Sequence, residues 1–100
     1  YGARNEQEIL YRETLEALAA AHPNFEWAVA LSDVSAEESW QGHRGLIHEA
    51  IYTSVLQDHP TLLECEFYLC GPPPMLAATR AMLRELGVPD SRVRFDDFGN

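Results

Sequence analysis

The sequence predicts an α/β fold, a three-layer parallel sheet with helices on both faces. Three features carry that expectation. Short β-rich apolar stretches alternate with segments of helical periodicity along the whole chain. The helical segments end on stop signals: Pro23, His59-Pro60, and Gly87 followed by Pro89. Third, the apolar run Phe67-Tyr68-Leu69-Cys70 reads as a buried strand that breaks at Gly71 into Pro72, Pro73 and Pro74. Gly71 permits a tight turn, and Pro is favoured at the first helical position, so Pro73 or Pro74 opens a helix there.

Taken in order, residues 1–4 start on an aromatic and a glycine, as the tail of a strand does. Asn5 is a good N-cap with Glu8 three residues on, the spacing of a capping box. Tyr11, Leu15 and Leu18 then follow at helical spacing and would face the sheet, while Arg12 and Glu16 can pair outside. Residues 25–31 read as a buried strand ending at Ser32-Asp33. Residues 34–44 form a polar loop carrying Trp40 and Gly42, longer than a usual connection, and fit a binding loop or a plain surface excursion. Residues 45–58 predict a helix with Ile47, Ile51 and Val55 on one face. After the Phe67 strand a helix runs to Leu86 with Met75, Ala78, Met82 and Leu86 as its inner stripe, Gly87 as its C′ residue and Val88 as the hydrophobic follow-on. Val93 and Phe95 alternate with Arg92 and Arg94 in a last short strand.

The 100 residues suffice for one small domain, and an apolar share of 46% argues against disorder. The net charge of −9, with seven Arg and no Lys, argues against a nucleic-acid partner and against docking on an anionic membrane. No apolar run is long enough for a membrane span. Cys65 and Cys70 would lie about 16 Å apart in extended chain, too far for a disulfide, so both read as free thiols. His22, His43, His48 and His59 show no metal-ligand spacing, and no metal site is expected. There is no Gly-rich phosphate loop and no internal repeat.

In open α/β sheets ligands sit at the carboxyl ends of strands, which here would gather Ser32-Asp33, Cys70-Gly71 and residues 96–98 along one edge. The turn after Gly71 would offer an anion the N–H groups of Gly71, Met75 and Leu76, since the prolines have none.

Cys70-Gly71-Pro72-Pro73 with Met75 resembles the C-G-P-x-x-M signature of the ferredoxin–NADP⁺ reductase superfamily. Tyr1-Gly2-Ala3-Arg4, Ala30-Leu31-Ser32-Asp33, Gly45-Leu46-Ile47-His48 and Asp96-Asp97-Phe98-Gly99 resemble one branch of it, the F subunits of the sodium-translocating NADH:quinone reductases. The resemblance implies that residues 1–100 are the C-terminal portion of an NADH-binding domain, with its first strands and an FAD domain lying elsewhere in a longer protein. It implies hydride transfer from NADH to FAD, then electron passage through an iron–sulfur cluster to quinone, neither FAD nor cluster being held by these residues. Its implied partners are NADH, the FAD and ferredoxin-like domains of its own chain, and other subunits of a membrane complex at the cytoplasmic face of the bacterial inner membrane. The isolated piece is then expected to be inactive, and to oligomerise through unpaired strand edges.

The resemblance assigns Cys70 and Phe98 to the catalytic centre, Cys70 beside the nicotinamide and Phe98 stacked on the flavin. It places Gly2, Arg4, Ser32, Asp33, Cys70, Gly71, Pro72, Met75 and Phe98 around the cofactors. Plainer roles stand beside these: packing for Cys70, a lone surface aromatic for Phe98, an exposed ion pair for Arg4, and a loop cap for Asp33. Where NADPH-dependent members carry Ser-Arg, this chain has Ser32-Asp33, so a carboxylate would repel a 2′-phosphate and accept from a ribose hydroxyl, selecting NADH. Two rivals to the quinone reductase remain: the reductase component of an aromatic oxygenase, and a non-catalytic nucleotide-binding or assembly module.

Overall fold

The computed structural model describes residues 1–34 and 39–97. The chain divides into two compact units, Tyr1–Ala50 and Ile51–Asn100. Among the described residues every strand pair is parallel, as in an α/β fold, and the strands fall in two sheets where the sequence predicts one.

In the first unit β1 (Gly2–Ala3), β2 (Ala30–Leu31) and β3 (His43–Arg44) form a sheet in the order β1-β2-β3. Central β2 is covered on both faces, with Ala30 and Leu31 each 1% exposed, which is why its sequence is continuously apolar. The Ser32 N–H donates to the Ala3 carbonyl at 3.0 Å, and the Gly45 N–H to that of Leu31 at 2.9 Å. The strand expected over residues 25–31 is confined to its last two, because the registered pairs on either side are only two residues long. His43–Arg44 correct the expected loop over 34–44. Both are polar and exposed, so only backbone pairing makes them a strand, and backbone pairing leaves no periodic signal.

Gly2 lies against Ile47, whose Cβ would be 2.8 Å from a side-chain Cβ at position 2. Ile47 is β-branched and opens α2 (Ile47–Ile51), so it yields little. Gly2→Val is expected to destabilise this unit by about 1–3 kcal/mol, read as lost amide-exchange protection in β1 and β2 of the intact protein. Unaltered protection would show that Ile47 gives way.

The Asn5 side chain accepts from the Glu8 N–H at 3.2 Å, so the capping geometry forms as expected. It closes only a 3₁₀ turn, Glu6–Glu8, and α1 (Arg12–Ala21) starts later. Tyr11 sits before α1 in a left-handed conformation (φ 58°) and is 72% exposed. It therefore does not join the inward stripe, Leu18 is 40% exposed as well, and only Leu15 of the expected three is half-buried. The Arg12–Glu16 pair forms at 3.4 Å.

α2 continues as a π-helical turn, Tyr52–Leu56. The wider winding advances the inward position by one residue, so Leu56 is 5% exposed and the expected Val55 is 50% exposed. In the second unit β4 (Phe67–Gly71) leads into α3 (Pro73–Glu85) and pairs with β5 (Val93–Asp97), from Phe67 opposite Val93 to Gly71 opposite Asp97. The core is Leu56, Leu83 and Val88, packed by Ile51, Phe67, Leu69, Met82 and Val93 among others. β4 is not buried throughout as expected: Phe67 and Leu69 turn to the core, while Tyr68 is 72% exposed and Cys70 faces outward with it. The deepest row of α3 is Leu76, Thr79 and Leu83, one residue on from the expected stripe, whose members are half-buried beside it. Thr79 can occupy that row because its hydroxyl donates to the Met75 carbonyl at 2.8 Å. α3 ends as its sequence predicts: Gly87 (φ 89°) donates to Arg84 and Val88 to Leu83, both at 3.0 Å, a Schellman closure.

Candidate functional site

In the second unit the carboxyl end of β4 delivers Cys70 and Gly71 to the start of α3. Cys70 is a free, exposed thiol, and its strand partner is Asp96; Gly71 is buried opposite Asp97. The Met75 side chain folds back over Gly71, so that a Cβ there would lie 2.5 Å from its sulfur. Pro72 holds the N-cap position without a side-chain cap, and Pro73 opens the helix. The Leu76 N–H, expected as an anion donor, is turned inward to the Pro72 carbonyl at 3.2 Å. Of the first three helical positions only Met75 carries an N–H, which leaves Met75 as the one backbone donor among them.

Beside it, the Arg80 guanidinium lies 4.2 Å over the Phe95 ring, tying α3 to β5. On the outer face Tyr68 donates to Glu66 at 3.1 Å, and Arg94 pairs with Glu66 at 3.6 Å. Cys65, apart from this turn, is the second free thiol; its sulfur is 3.9 Å from His59 Nε2. That contact, six positions apart in sequence, has no motif that announces it. Phe98 lies outside the described residues.

In the first unit the carboxyl ends of β1 and β2 bring Arg4 beside Ser32 and Asp33. The Asp33 N–H donates to the Arg4 carbonyl at 2.8 Å, and the Asp33 side chain is exposed. Arg4 Nε lies 3.0 and 3.1 Å from the two Glu8 carboxylate oxygens, and Arg4 Nη2 also meets that carboxylate. This is the exposed ion pair named above as the plainer role of Arg4. The hydrogen bond raises the Arg4 pKa and lowers that of Glu8. A lowered carboxyl supports the fold above its unfolded value and loses that support as pH falls through its folded one. Trp40 Nε1 donates to the His43 carbonyl at 2.8 Å, and Arg44 Nη2 to the Trp40 carbonyl at 2.9 Å, anchors the loop reading did not foresee. Among the described residues no group of three His, Cys, Asp or Glu could hold a metal.

The family model described as "Oxidoreductase NAD-binding domain" matches residues 1–81. The chain belongs to that family. Within it, the chain is 52% identical over 99 residues to the F subunit of the Na(+)-translocating NADH-quinone reductase of Klebsiella pneumoniae, covering 99% of this chain and 24% of that protein. Identity to the corresponding protein of Shewanella denitrificans is 50% over the same lengths. Among solved structures, a ferredoxin reductase in carbazole 1,9a-dioxygenase is 35% identical with a TM-score of 0.77, over 98% of this chain and 28% of that one. The α/β nucleotide-binding fold and the expected resemblance to the quinone reductase branch are thus both found. The chain spans about a quarter of the length of the relatives it matches. The part matched as an NAD-binding domain holds Gly2, Arg4, Ser32, Asp33, Cys70, Gly71, Pro72 and Met75, whereas Asp96 and Asp97 lie beyond it.

Proposed function

We propose that this chain is the C-terminal portion of the NADH-binding domain of a flavoprotein reductase, the F subunit of a sodium-translocating NADH:quinone reductase. The observation that carries the reading is the strand end at Cys70, exposed and followed at once by the Gly71–proline helix start, in a chain of the oxidoreductase NAD-binding family. Asp33 accepts from the adenosine ribose and excludes a 2′-phosphate. Cys70 sets the approach of the nicotinamide, which needs reacting atoms held about 3–3.5 Å apart rather than thiolate chemistry. Met75 supplies a backbone N–H group to the phosphates, while Gly2 is spent on packing against Ile47. Phe98 covers the flavin ring.

In the intact protein NADH gives hydride to FAD, and an iron–sulfur cluster carries the electrons on to quinone. The FAD and ferredoxin-like domains, other subunits, and a place at the cytoplasmic face of the inner membrane belong to that whole. No helix among the described residues is long and apolar enough to cross a membrane. The reductase component of an aromatic oxygenase is the second reading, supported by the 35% identity to the carbazole dioxygenase reductase. It is weaker than the 52% identity to the Klebsiella pneumoniae quinone reductase.

The test is titration of the intact reductase with NADH and NADPH while following flavin absorbance. NADH should bleach the flavin at far lower concentration, and Cys70→Ala should slow the bleaching while FAD stays bound. A flavin indifferent to NADH would overturn the reading, and transfer unchanged by Cys70→Ala would reduce that thiol to packing.

A further inference from the structure

In the second unit Cys65 does not stand as an isolated thiol. It follows the 3₁₀ turn Leu62–Glu64, and its half-buried S–H donates to the Thr61 carbonyl at 3.5 Å. His59 Nε2 lies 3.9 Å from the same sulfur. The Thr61 N–H donates to His59 Nδ1 at 3.1 Å. An Nδ1 that accepts has its lone pair in use, so the neutral ring carries its proton on Nε2. The sulfur therefore meets an N–H donor whose tautomer and place are set by the backbone. The chain around it is pinned too: Cys65 N–H donates to the Leu62 carbonyl at 3.1 Å, and Arg92 Nη1 to the Glu64 carbonyl at 3.0 Å. An open hollow of about 310 Å³, lined by His59, Thr61 and Glu64 among others, leaves this turn accessible to small solutes. A separation of 3.9 Å gives only a weak N–H···S contact. An oxygen joined to the sulfur would stand within that gap, at ordinary N–H···O length from Nε2. The pair thus gains little as it stands and a full hydrogen bond once the sulfur is oxygenated.

We propose that the His59–Cys65 pair is a site of reversible oxidation by small hydroperoxides, with His59 Nε2–H as the donor that receives the added oxygen. The Cys65 sulfur attacks the terminal peroxide oxygen, and the S–O bond forms as the O–O bond breaks. Sulfur is oxidised by two electrons and the peroxide is reduced. The thiol proton goes to the departing oxygen, which leaves as water when the oxidant is hydrogen peroxide. The product is a sulfenic acid at Cys65, which a second thiol reduces back through a disulfide. No part of the step draws on nicotinamide or flavin.

The test treats the intact protein with hydrogen peroxide in the presence of dimedone, which tags sulfenic acids, and locates the tag by peptide fragmentation. Cys65 is expected to carry it. His59→Ala should slow tagging of Cys65 about tenfold, through loss of one hydrogen bond to the oxygen being transferred. His59→Gln, which keeps an N–H donor, should recover most of that loss. Alkylation of Cys65 by iodoacetamide is the readout that a mere change of access would move. It places no oxygen on the sulfur, so His59→Ala should alter it far less than the oxidation. An untagged Cys65 in the parent would overturn the assignment. So would oxidation and alkylation that change equally in His59→Ala, or a His59→Gln variant no faster than His59→Ala.

Discussion

Asp33→Arg is expected to shift the preference of the intact reductase from NADH towards NADPH by about a hundredfold in the ratio of kcat/KM. The change removes a carboxylate and puts a guanidinium at the end of β2, where the proposed ribose lies. Two unit charges about 4 Å apart interact by about 4 kcal/mol near a protein surface. Asp33 is exposed, and screening brings the net difference to about 3 kcal/mol, roughly two decades. Arg4 does not replace that effect in the parent, because its guanidinium is engaged by Glu8. Steady-state kinetics with both nucleotides decide the matter. An unchanged ratio would leave Asp33 as a loop residue whose backbone bond to Arg4 is its whole contribution.

Leu83→Ala is expected to cost about 2–5 kcal/mol in the second unit. Leu83 is 1% exposed at the centre of the cluster with Leu56 and Val88, and its neighbours come from the π-helical turn, β4 and β5. A hole there borders the π-helical turn, both strands and α3, so local collapse cannot fill it cheaply. Amide exchange in the intact protein should accelerate by about 1.5 to 3.5 decades in β4 and α3, and Leu83→Met should cost less than about 1.5 kcal/mol. Acceleration confined to α3 would show that the unit does not depend on this residue as a whole.

The fold class and the strand–turn–helix at Cys70 were legible because glycine and proline act locally. Gly71 breaks the strand, Pro73 opens the helix, and Gly87 closes it wherever the rest of the chain goes. What was not legible depends on partners distant in sequence. Val55 gave way to Leu56 because a π turn inserts a residue into the winding, which a fixed helical period cannot anticipate. Tyr68 has the composition of a buried strand residue but faces outward, since apolar character does not say which face of β4 is packed. His43–Arg44 become a strand through backbone bonds to β2, to which side-chain patterns are blind. At the candidate site the residue types around Asp33 and Cys70 were readable from motif alone. The loss of Leu76 as a donor and the commitment of Arg4 to Glu8 required coordinates.

The proline run has a kinetic meaning as well as a stiffening one. A helix entrance able to present a single amide from its first turn exerts only a faint pull on negative charge. Tight capture would make departure of the spent coenzyme the slow step of each cycle. On the NADH-binding reading proposed above, a stiff doorway with so light a grip favours brief residence of the coenzyme instead.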